Sequence, residues 1–157
     1  MKVNSMMHIA FYTARYDEMV DFYVNKLGFK YKYDVKFEVY TGYDNRPQLQ
    51  QIAKEHPEWI LNAYIEVCQG QFIELFPIHQ EIDGNVSKPV DGYHHFALIV
   101  DDIHAAKEEL ISKGVPIDTD ISIGPSGTYQ MWTHDPDGNK FEVMQYTEKS
   151  MQLKGDA

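Results

Sequence analysis

Cysteine and long apolar runs are both scarce in this sequence, and each scarcity narrows the class of protein. The chain of 157 residues has one cysteine, Cys68, so it cannot form an intramolecular disulfide. A chain without disulfides suits a reducing compartment, and we expect a cytoplasmic protein. No apolar run approaches the roughly 20 residues of a membrane-spanning helix, and the first residues lack the apolar stretch of a signal peptide. We therefore expect no membrane partner.

Positive charge is also scarce. The formal net charge is −10, and the only arginines are Arg15 and Arg46. Nucleic-acid binding depends on clustered lysine and arginine side chains, so we expect no nucleic-acid partner and take a small molecule as the ligand class. The apolar fraction of 43% is that of an ordinary globular protein, and the length suits one compact domain or two small halves.

A short motif occurs twice in the chain. His8-Ile9-Ala10 and His95-Phe96-Ala97 each open an apolar run typical of a strand, and a pattern of helical spacing follows each run. The first pattern ends at Gly28 and the second at Gly114, so each glycine follows its histidine by 20 and 19 positions, respectively. Agreement in both length and pattern indicates an internal repeat.

Each half of the chain has the pattern β-α-β-β-β. We predict an α+β fold of two tandem βαβββ modules within a single domain covering residues 1–157. The predicted parts are module 1 at 6–76 with an insertion at 41–58, a linker at 77–92, module 2 at 93–147 and a loose tail at 148–157. Finer predictions are one long strand over 29–40, a short helix over 48–55, a helix capped by Asp101 or Asp102, and a strand over 115–121.

Strand alternation places four titratable side chains at matched positions. Successive side chains of a strand point to opposite faces, so His8 and His95 lie on the face opposite the apolar set of each first strand. Glu74 and Glu142 lie at equivalent places on the last strand of each module. Two imidazoles and two carboxylates suit a divalent ion such as Zn, Ni, Co, Mn or Fe. The sequence therefore predicts the metal ligands His8, Glu74, His95 and Glu142.

Each of these residues also has an ordinary interpretation. A single histidine in a strand is more often a core or surface residue, and a glutamate in a strand can simply face solvent. The fourfold repetition favours the metal. Either His94 or His95 could serve in the second module, and the match to the His-x-Ala motif selects His95. The remaining histidines have no repeated counterpart and are interpreted as surface residues: His56, His79, His104 and His134.

Aromatic and apolar side chains share the face of the four candidate ligands. They suggest a substrate pocket, although ordinary core packing explains the same pattern, and the sequence leaves both interpretations open. The predicted pocket residues are Tyr12, Phe72, Phe76, Trp132, Met144 and Tyr146.

Motifs along nearly the whole chain resemble the vicinal oxygen chelate superfamily, which includes glyoxalases, bleomycin-resistance proteins and extradiol dioxygenases. They are His8-Ile-Ala-Phe, Asp21-Phe-Tyr through Leu27-Gly-Phe, Phe72-Ile-Glu-Leu-Phe76, His95-Phe-Ala-Leu-Ile-Val-Asp-Asp and Asp135-Pro-Asp-Gly-Asn through Phe141-Glu-Val. The resemblance implies modules whose mixed sheets curl around a metal-centred cavity, in a homodimer.

The His/Glu/His/Glu set is similar to that of bacterial glyoxalase I, a lactoylglutathione lyase. The resemblance implies a metal that polarises vicinal oxygens and a carboxylate that moves a proton between vicinal carbons through an enediolate. It implies Glu142 as the base, with Glu74 as the other carboxylate ligand and second base. Tyr12 stands where glyoxalase I has an arginine, which argues against glutathione. We therefore expect a small α-hydroxycarbonyl or thiohemiacetal as substrate.

Two other functions are open to this superfamily. A non-catalytic binding protein of the bleomycin-resistance type would sequester a flat cationic ligand, and the acidic charge and the tyrosines favour it. An extradiol-type dioxygenase would use Fe(II) and oxygen. Glu74 argues against the dioxygenase because its carboxylate would fill a coordination position that oxygen needs.

Overall fold

The chain divides into two compact units, Met1–Ser87 and Lys88–Ala157, and the boundary falls inside the predicted linker. The structure, a computed structural model, describes residues 6–42, 44, 46–79, 93, 95–124, 126–150 and 153. Most of the linker and the end of the tail lie outside these ranges. Each unit is therefore described by itself.

The first unit is a four-stranded mixed sheet with two helices. Its elements are β1 (His8–Thr13), α1 (Tyr16–Asp21) continued by a π-helical turn (Phe22–Lys26), β2 (Lys30–Lys36), a 3-10 turn (Phe37–Tyr40), α2 (Pro47–Glu55), β3 (Ile60–Cys68) and β4 (Gln71–Pro77). The strand order is β1-β4-β3-β2. Strand β1 runs parallel to β4, and the other pairs are antiparallel.

The second unit repeats this plan. Its elements are β5 (Phe96–Ile99), α3 (Ile103–Ser112), β6 (Thr119–Ile123), β7 (Tyr129–His134) and β8 (Lys140–Gln145). The strand order is β5-β8-β7-β6, with β5 parallel to β8. Two mixed sheets with the same order confirm the predicted α+β class and the tandem βαβββ modules.

The two repeated helices end where the sequence predicts. Gly28 and Gly114 have φ angles of 77° and 72°, in the left-handed region that glycine adopts readily after the last turn of a helix. Asp102, rather than Asp101, caps α3, because its carboxylate accepts hydrogen bonds from the backbone N–H groups of His104 and Ala105.

Burial alternates along the first strand of each unit. In β1, Phe11 and Thr13 are buried, whereas His8, Ala10 and Tyr12 are exposed. The buried face joins a core of fully or almost fully buried side chains, which in the first unit includes Met19, Tyr23, Ile65, Ile73 and Leu75 and in the second Ile103, Met131, Phe141 and Val143. Burial of this apolar surface drives folding and leaves the opposite face of each sheet for polar chemistry.

The predicted long strand over 29–40 is wrong over its last four residues, 37–40. Strand β2 ends at Lys36, after a register shift, and the chain turns at Phe37. The Phe37 side chain is buried, and its N–H donates to the Trp59 carbonyl at 2.9 Å. Tertiary burial of this one aromatic ring, next to the insertion, overrides the alternating pattern.

Two further boundaries differ from the sequence pattern. The strand expected over 115–121 begins instead at Thr119, since Pro116 has no N–H to donate to a neighbouring strand. The start of the expected loose tail is packed, because Ser150 is fully buried and its hydroxyl accepts from Thr128 at 2.8 Å.

A chain of phenols joins α1 to β2 and predicts a pH effect. The Tyr31 hydroxyl donates to Asp34 at 2.7 Å and contacts the Tyr16 hydroxyl at 2.8 Å. Burial, and then these hydrogen bonds, raise the pKa of Tyr31 above its ordinary value of 10. The unfolded chain loses this proton first, so the contribution to stability is complete below about pH 10 and is lost as the pH rises beyond it.

We expect Tyr31→Phe to make the fall in the free energy of unfolding above pH 10 shallower. Urea unfolding at intervals from pH 8 to pH 11 measures this slope, to which one proton contributes at most about 1.4 kcal/mol per pH unit. Tyr33→Phe, at an exposed position of the same strand, is the control. Equal slopes for Tyr31→Phe and the unsubstituted protein would contradict the assignment.

Candidate metal centre

The first unit brings His8 and Glu74 together. His8 Nε2 lies 3.2 Å from Glu74 Oε2. The parallel pairing of β1 with β4 sets Ala10 opposite Glu74, and His8 precedes Ala10 by two residues on the same exposed face. The small alanine side chain leaves room for the imidazole to reach the carboxylate.

The second unit repeats this pair. His95 Nε2 lies 3.4 Å from Glu142 Oε2. Ala97 is opposite Glu142 in the pairing of β5 with β8, and His95 again precedes the alanine by two residues. In both units the histidine is exposed and the glutamate is buried, with 6% exposure for Glu74 and 8% for Glu142. The His-x-Ala motif therefore encodes the same local geometry twice.

The Glu74 carboxylate is held in place by two neighbours on β3. The Asn62 amide donates to Glu74 Oε1, which leaves Oε2 to face His8. Tyr64 lies directly opposite Glu74 in the antiparallel pairing. Burial, followed by its hydrogen bond with Glu74, raises the pKa of Tyr64 to about 12, so the phenol stays protonated and donates to the carboxylate near neutral pH.

The equivalent neighbours of Glu142 are different. Trp132 takes the place opposite the carboxylate, and its ring centre lies 4.8 Å from that of His95. Gln130, at the position that corresponds to Asn62, packs its side-chain amide against Gly124, in the space that a Cβ at this position would occupy. Among the described residues, no side-chain amide or hydroxyl donates to Glu142. Within these residues, one carboxylate is thus fixed by an amide and a phenol, whereas the other contacts its histidine.

The separations in both pairs fit two ligands of one metal ion. Ligand atoms about 2.1 Å from an ion, at octahedral or tetrahedral angles, lie roughly 3.0–3.4 Å apart. His8 Nδ1 lies 2.9 Å from Met7 Sδ, and a proton on Nδ1 would leave the Nε2 lone pair facing the Glu74 oxygen. A lone pair and a carboxylate oxygen so close together need a positive charge between them, either a proton or a metal ion. The donor set therefore suits a divalent cation.

The structure brings the four predicted ligands together as two separate pairs. No group of three or more His, Cys, Asp or Glu side chains that could hold a metal is found in the part of the chain that the structure describes. The set of four stays a prediction. His94, the alternative to His95, lies outside the described residues.

The residues predicted to line a pocket lie in several places. The rings of Tyr12 and Phe76 are 5.6 Å apart and line a cavity of about 320 Å³ in the first unit. Phe72 lies edge-on to Tyr64, Trp132 contacts His95, Met144 is buried and Tyr146 is 39% exposed. Only the first two of these six residues line the described cavity.

Sequence reasoning missed several residues of these sites. Asn62 and Tyr64 share a strand face with each other and lie beside Glu74, so alternation along β3 could have found them. His56 and His79, interpreted as surface residues, are half-buried, and each stacks on Trp59, with ring distances of 3.6 and 4.6 Å. This stack depends on the insertion folding against β4, for which the sequence offers no pattern.

The family of the chain follows from comparison with known proteins. The model of the Glyoxalase/Bleomycin resistance protein/Dioxygenase superfamily matches residues 5–143. The protein belongs to this superfamily, whose members often use divalent metals and small-molecule ligands and are commonly dimers. No curated protein matches the sequence.

Solved structures share the fold at low identity. A lactoylglutathione lyase from Agrobacterium tumefaciens is 20% identical with a TM-score of 0.61, and the match covers 98% of each chain. A glyoxalase family protein from Enterococcus faecalis is 21% identical with a TM-score of 0.63, covering 89% of this chain and 96% of that one. A superfamily member from Sphaerobacter thermophilus is 20% identical with a TM-score of 0.62, covering 92% and 98%. These similarities establish the fold. Within the described residues, no helix is long and apolar enough to cross a membrane.

Proposed function

We propose that the protein is a metal-dependent lyase or isomerase of glyoxalase I type. It moves a proton between vicinal carbons of a small α-hydroxycarbonyl or thiohemiacetal. The ligands of the divalent ion are His8 and Glu74 from the first unit and His95 and Glu142 from the second. A bound ion would supply Lewis-acid stabilisation of negative charge on the vicinal oxygens of the substrate.

The observation that carries this proposal is the repeated His–Glu pair with a buried carboxylate. Burying an ionised carboxylate costs on the order of several kcal/mol unless a cation or strong hydrogen bonds compensate for the lost hydration. Both units bury a carboxylate at the same place in the sheet. Two such sites suit a protein whose buried carboxylates bind a metal ion. A protein that sequesters its ligand through aromatic contacts would not need buried carboxylates.

The unequal surroundings of the two carboxylates support a division of roles. Asn62 and Tyr64 fix Glu74, as expected for a permanent ligand. Glu142 has the freedom that a general base needs to approach one carbon, take its proton and return it to the next. Glu142 therefore acts as the base, and Glu74 orients the site and serves as second base.

Asn62 also offers a contact for substrate. Because its amide nitrogen faces the Glu74 carboxylate, its Oδ1 points away from that carboxylate, and this buried atom accepts no hydrogen bond within the described part of the chain. A buried acceptor without a partner is costly. The hydroxyl of an α-hydroxycarbonyl is a donor that would satisfy it.

We expect the metal-stripped protein to bind one divalent ion per chain at micromolar concentration or tighter. Isothermal titration with Zn, Ni, Co and Mn, together with elemental analysis, measures the affinity and the stoichiometry. A free metal-ion concentration of about 100 times the Kd should raise the free energy of unfolding by about 2.7 kcal/mol. Thermal unfolding would show this as a higher melting temperature. His8→Ala and His95→Ala should each weaken binding.

His134→Ala is the matched control for these variants. His134 pairs with Asp118 at 2.8 Å in the second unit and is not one of the proposed ligands, so its loss should leave metal affinity unchanged. Absence of binding at micromolar concentration would contradict the proposal. Two independent ions per chain would show that the two pairs do not act together.

A further inference from the structure

A cavity lies in the first unit, between the sheet, the 3-10 turn and α2. The cavity of about 320 Å³ lies among Tyr12 on β1, Phe76 on β4, residues of the turn and of α2, and His79. Its volume lies at the lower end of the range of small-molecule sites, which is about 300–1,000 Å³.

Aromatic rings make up half of the residues in the cavity wall. Phe37 and Tyr40 come from the 3-10 turn, and Tyr12 and Phe76 come from the sheet. The ring of His79 is fixed from two sides, because it stacks on Trp59 at 4.6 Å and its Nε2 lies 2.9 Å from the Ile60 carbonyl oxygen. Flat faces of this kind favour a flat ligand.

The wall carries one permanent cation. Arg46 lines the cavity next to Leu49 and is one of only two arginines in a chain with a net charge of −10. Within the described residues its guanidinium makes no ion pair or hydrogen bond. The nearby Asp44 contacts the amide of Gln50 instead. A guanidinium matches a carboxylate with two parallel hydrogen bonds, which gives it a geometric preference for that group.

The cavity adjoins the His8–Glu74 pair along the same strand. Phe76 follows Glu74 by two residues on β4 and shares its face, a displacement of about 7 Å. Tyr12 lies opposite Phe76 on β1, on the face that carries His8. A molecule of modest length could therefore place one end at Glu74 and the other at Arg46.

We propose that this cavity binds a small aromatic carboxylate, with the ring among Tyr12, Phe37 and Phe76 and the carboxylate on Arg46. The site consists of residues of the first unit and needs no metal. It extends the proposed function to a substrate class: α-hydroxycarbonyls or thiohemiacetals that carry an anionic aryl group. Only this assignment of a substrate class rests on the proposed function, and the binding site itself does not.

Calorimetry on the full-length chain, with a chelator present, tests the binding site directly. The probes are 3-phenylpropionate and its uncharged amide. We expect the carboxylate to bind and the amide to bind at least 10-fold more weakly. Because charge-assisted hydrogen bonds contribute about 1.5–3 kcal/mol, Arg46→Gln should weaken carboxylate binding by about 10- to 100-fold. Arg15→Gln, the other arginine, is exposed at the start of α1 beside Glu18 and should leave binding unchanged.

A second measurement separates this site from the proposed function. Proton exchange is followed with thiohemiacetals of phenylglyoxal and of 4-carboxyphenylglyoxal. Arg46→Gln should raise KM at least 10-fold for the carboxylated compound and leave the other unchanged. Calorimetric binding without proton exchange supports the site and counts against the proposed reaction. Equal binding of carboxylate and amide, no binding by either, or an Arg46→Gln variant that binds the carboxylate normally would overturn the site.

Discussion

Glu142→Gln is expected to lower the rate of proton transfer by about 10²- to 10⁴-fold, the usual contribution of a positioned general base. Glutamine has nearly the same shape as glutamate but cannot accept the substrate proton. The Glu142 carboxylate contacts His95 at 3.4 Å, and no amide or hydroxyl among the described residues fixes it. The variant should therefore fold normally and lose the reaction.

The measurement follows deuterium incorporation at the vicinal carbons by NMR. Thiohemiacetals of methylglyoxal with 2-mercaptoethanol and with glutathione are the probes, and they also show whether glutathione is accepted. Glu66→Gln is the control, because Glu66 lies on β3 and pairs with Lys32 at 2.9 Å. An active Glu142→Gln variant would contradict the role given to Glu142. A loss of proton transfer in Glu74→Gln alone would show instead that Glu74, in the first unit, is the base.

The second large effect is expected for a residue that would not touch the metal. Asn62→Ala should weaken divalent-metal binding by about 10- to 100-fold, the usual cost of losing a group that orients a ligand. The Asn62 amide donates to Glu74 Oε1 and so directs Oε2 towards His8. Without it the buried carboxylate loses a hydrogen bond and a fixed orientation.

Gln130→Ala is the matched control for Asn62→Ala. Gln130 takes the equivalent position in the second unit, but its amide packs on Gly124 and does not orient Glu142. We expect the metal affinity of the Gln130→Ala variant to stay within about twofold of that of the unsubstituted protein, a change of less than about 0.5 kcal/mol in binding free energy. Calorimetric titration compares the two variants, and thermal unfolding without metal shows that both are folded. Equal losses in both variants would contradict the distinction between a fixed and a free carboxylate.

Local chemistry explains what could be predicted about the fold. Glycine adopts a positive φ readily, so Gly28 and Gly114 mark the ends of two helices in the bare sequence. Alternation along a strand separates His8 from Phe11 whatever the strand packs against. The His-x-Ala motif, the two module patterns and the family resemblance follow from such short-range rules.

Contacts between distant segments explain what could not be predicted. Lys36 and Phe37 continue an alternating pattern, yet β2 ends there because burial of Phe37 beside Trp59 stabilises a turn. Side-chain packing likewise places Asn62 beside Glu74 but Gln130 against Gly124, although the two positions have the same strand register.

The sequence by itself determined the α+β class, the tandem modules and the four candidate ligands, because these depend on periodicity and on residue type. Only the tertiary structure decided that each histidine reaches its glutamate, that one carboxylate is fixed and the other is not, and that Arg46 lines an aromatic cavity. These features depend on side-chain packing between elements far apart in the chain, and no local pattern in the sequence predicts that packing.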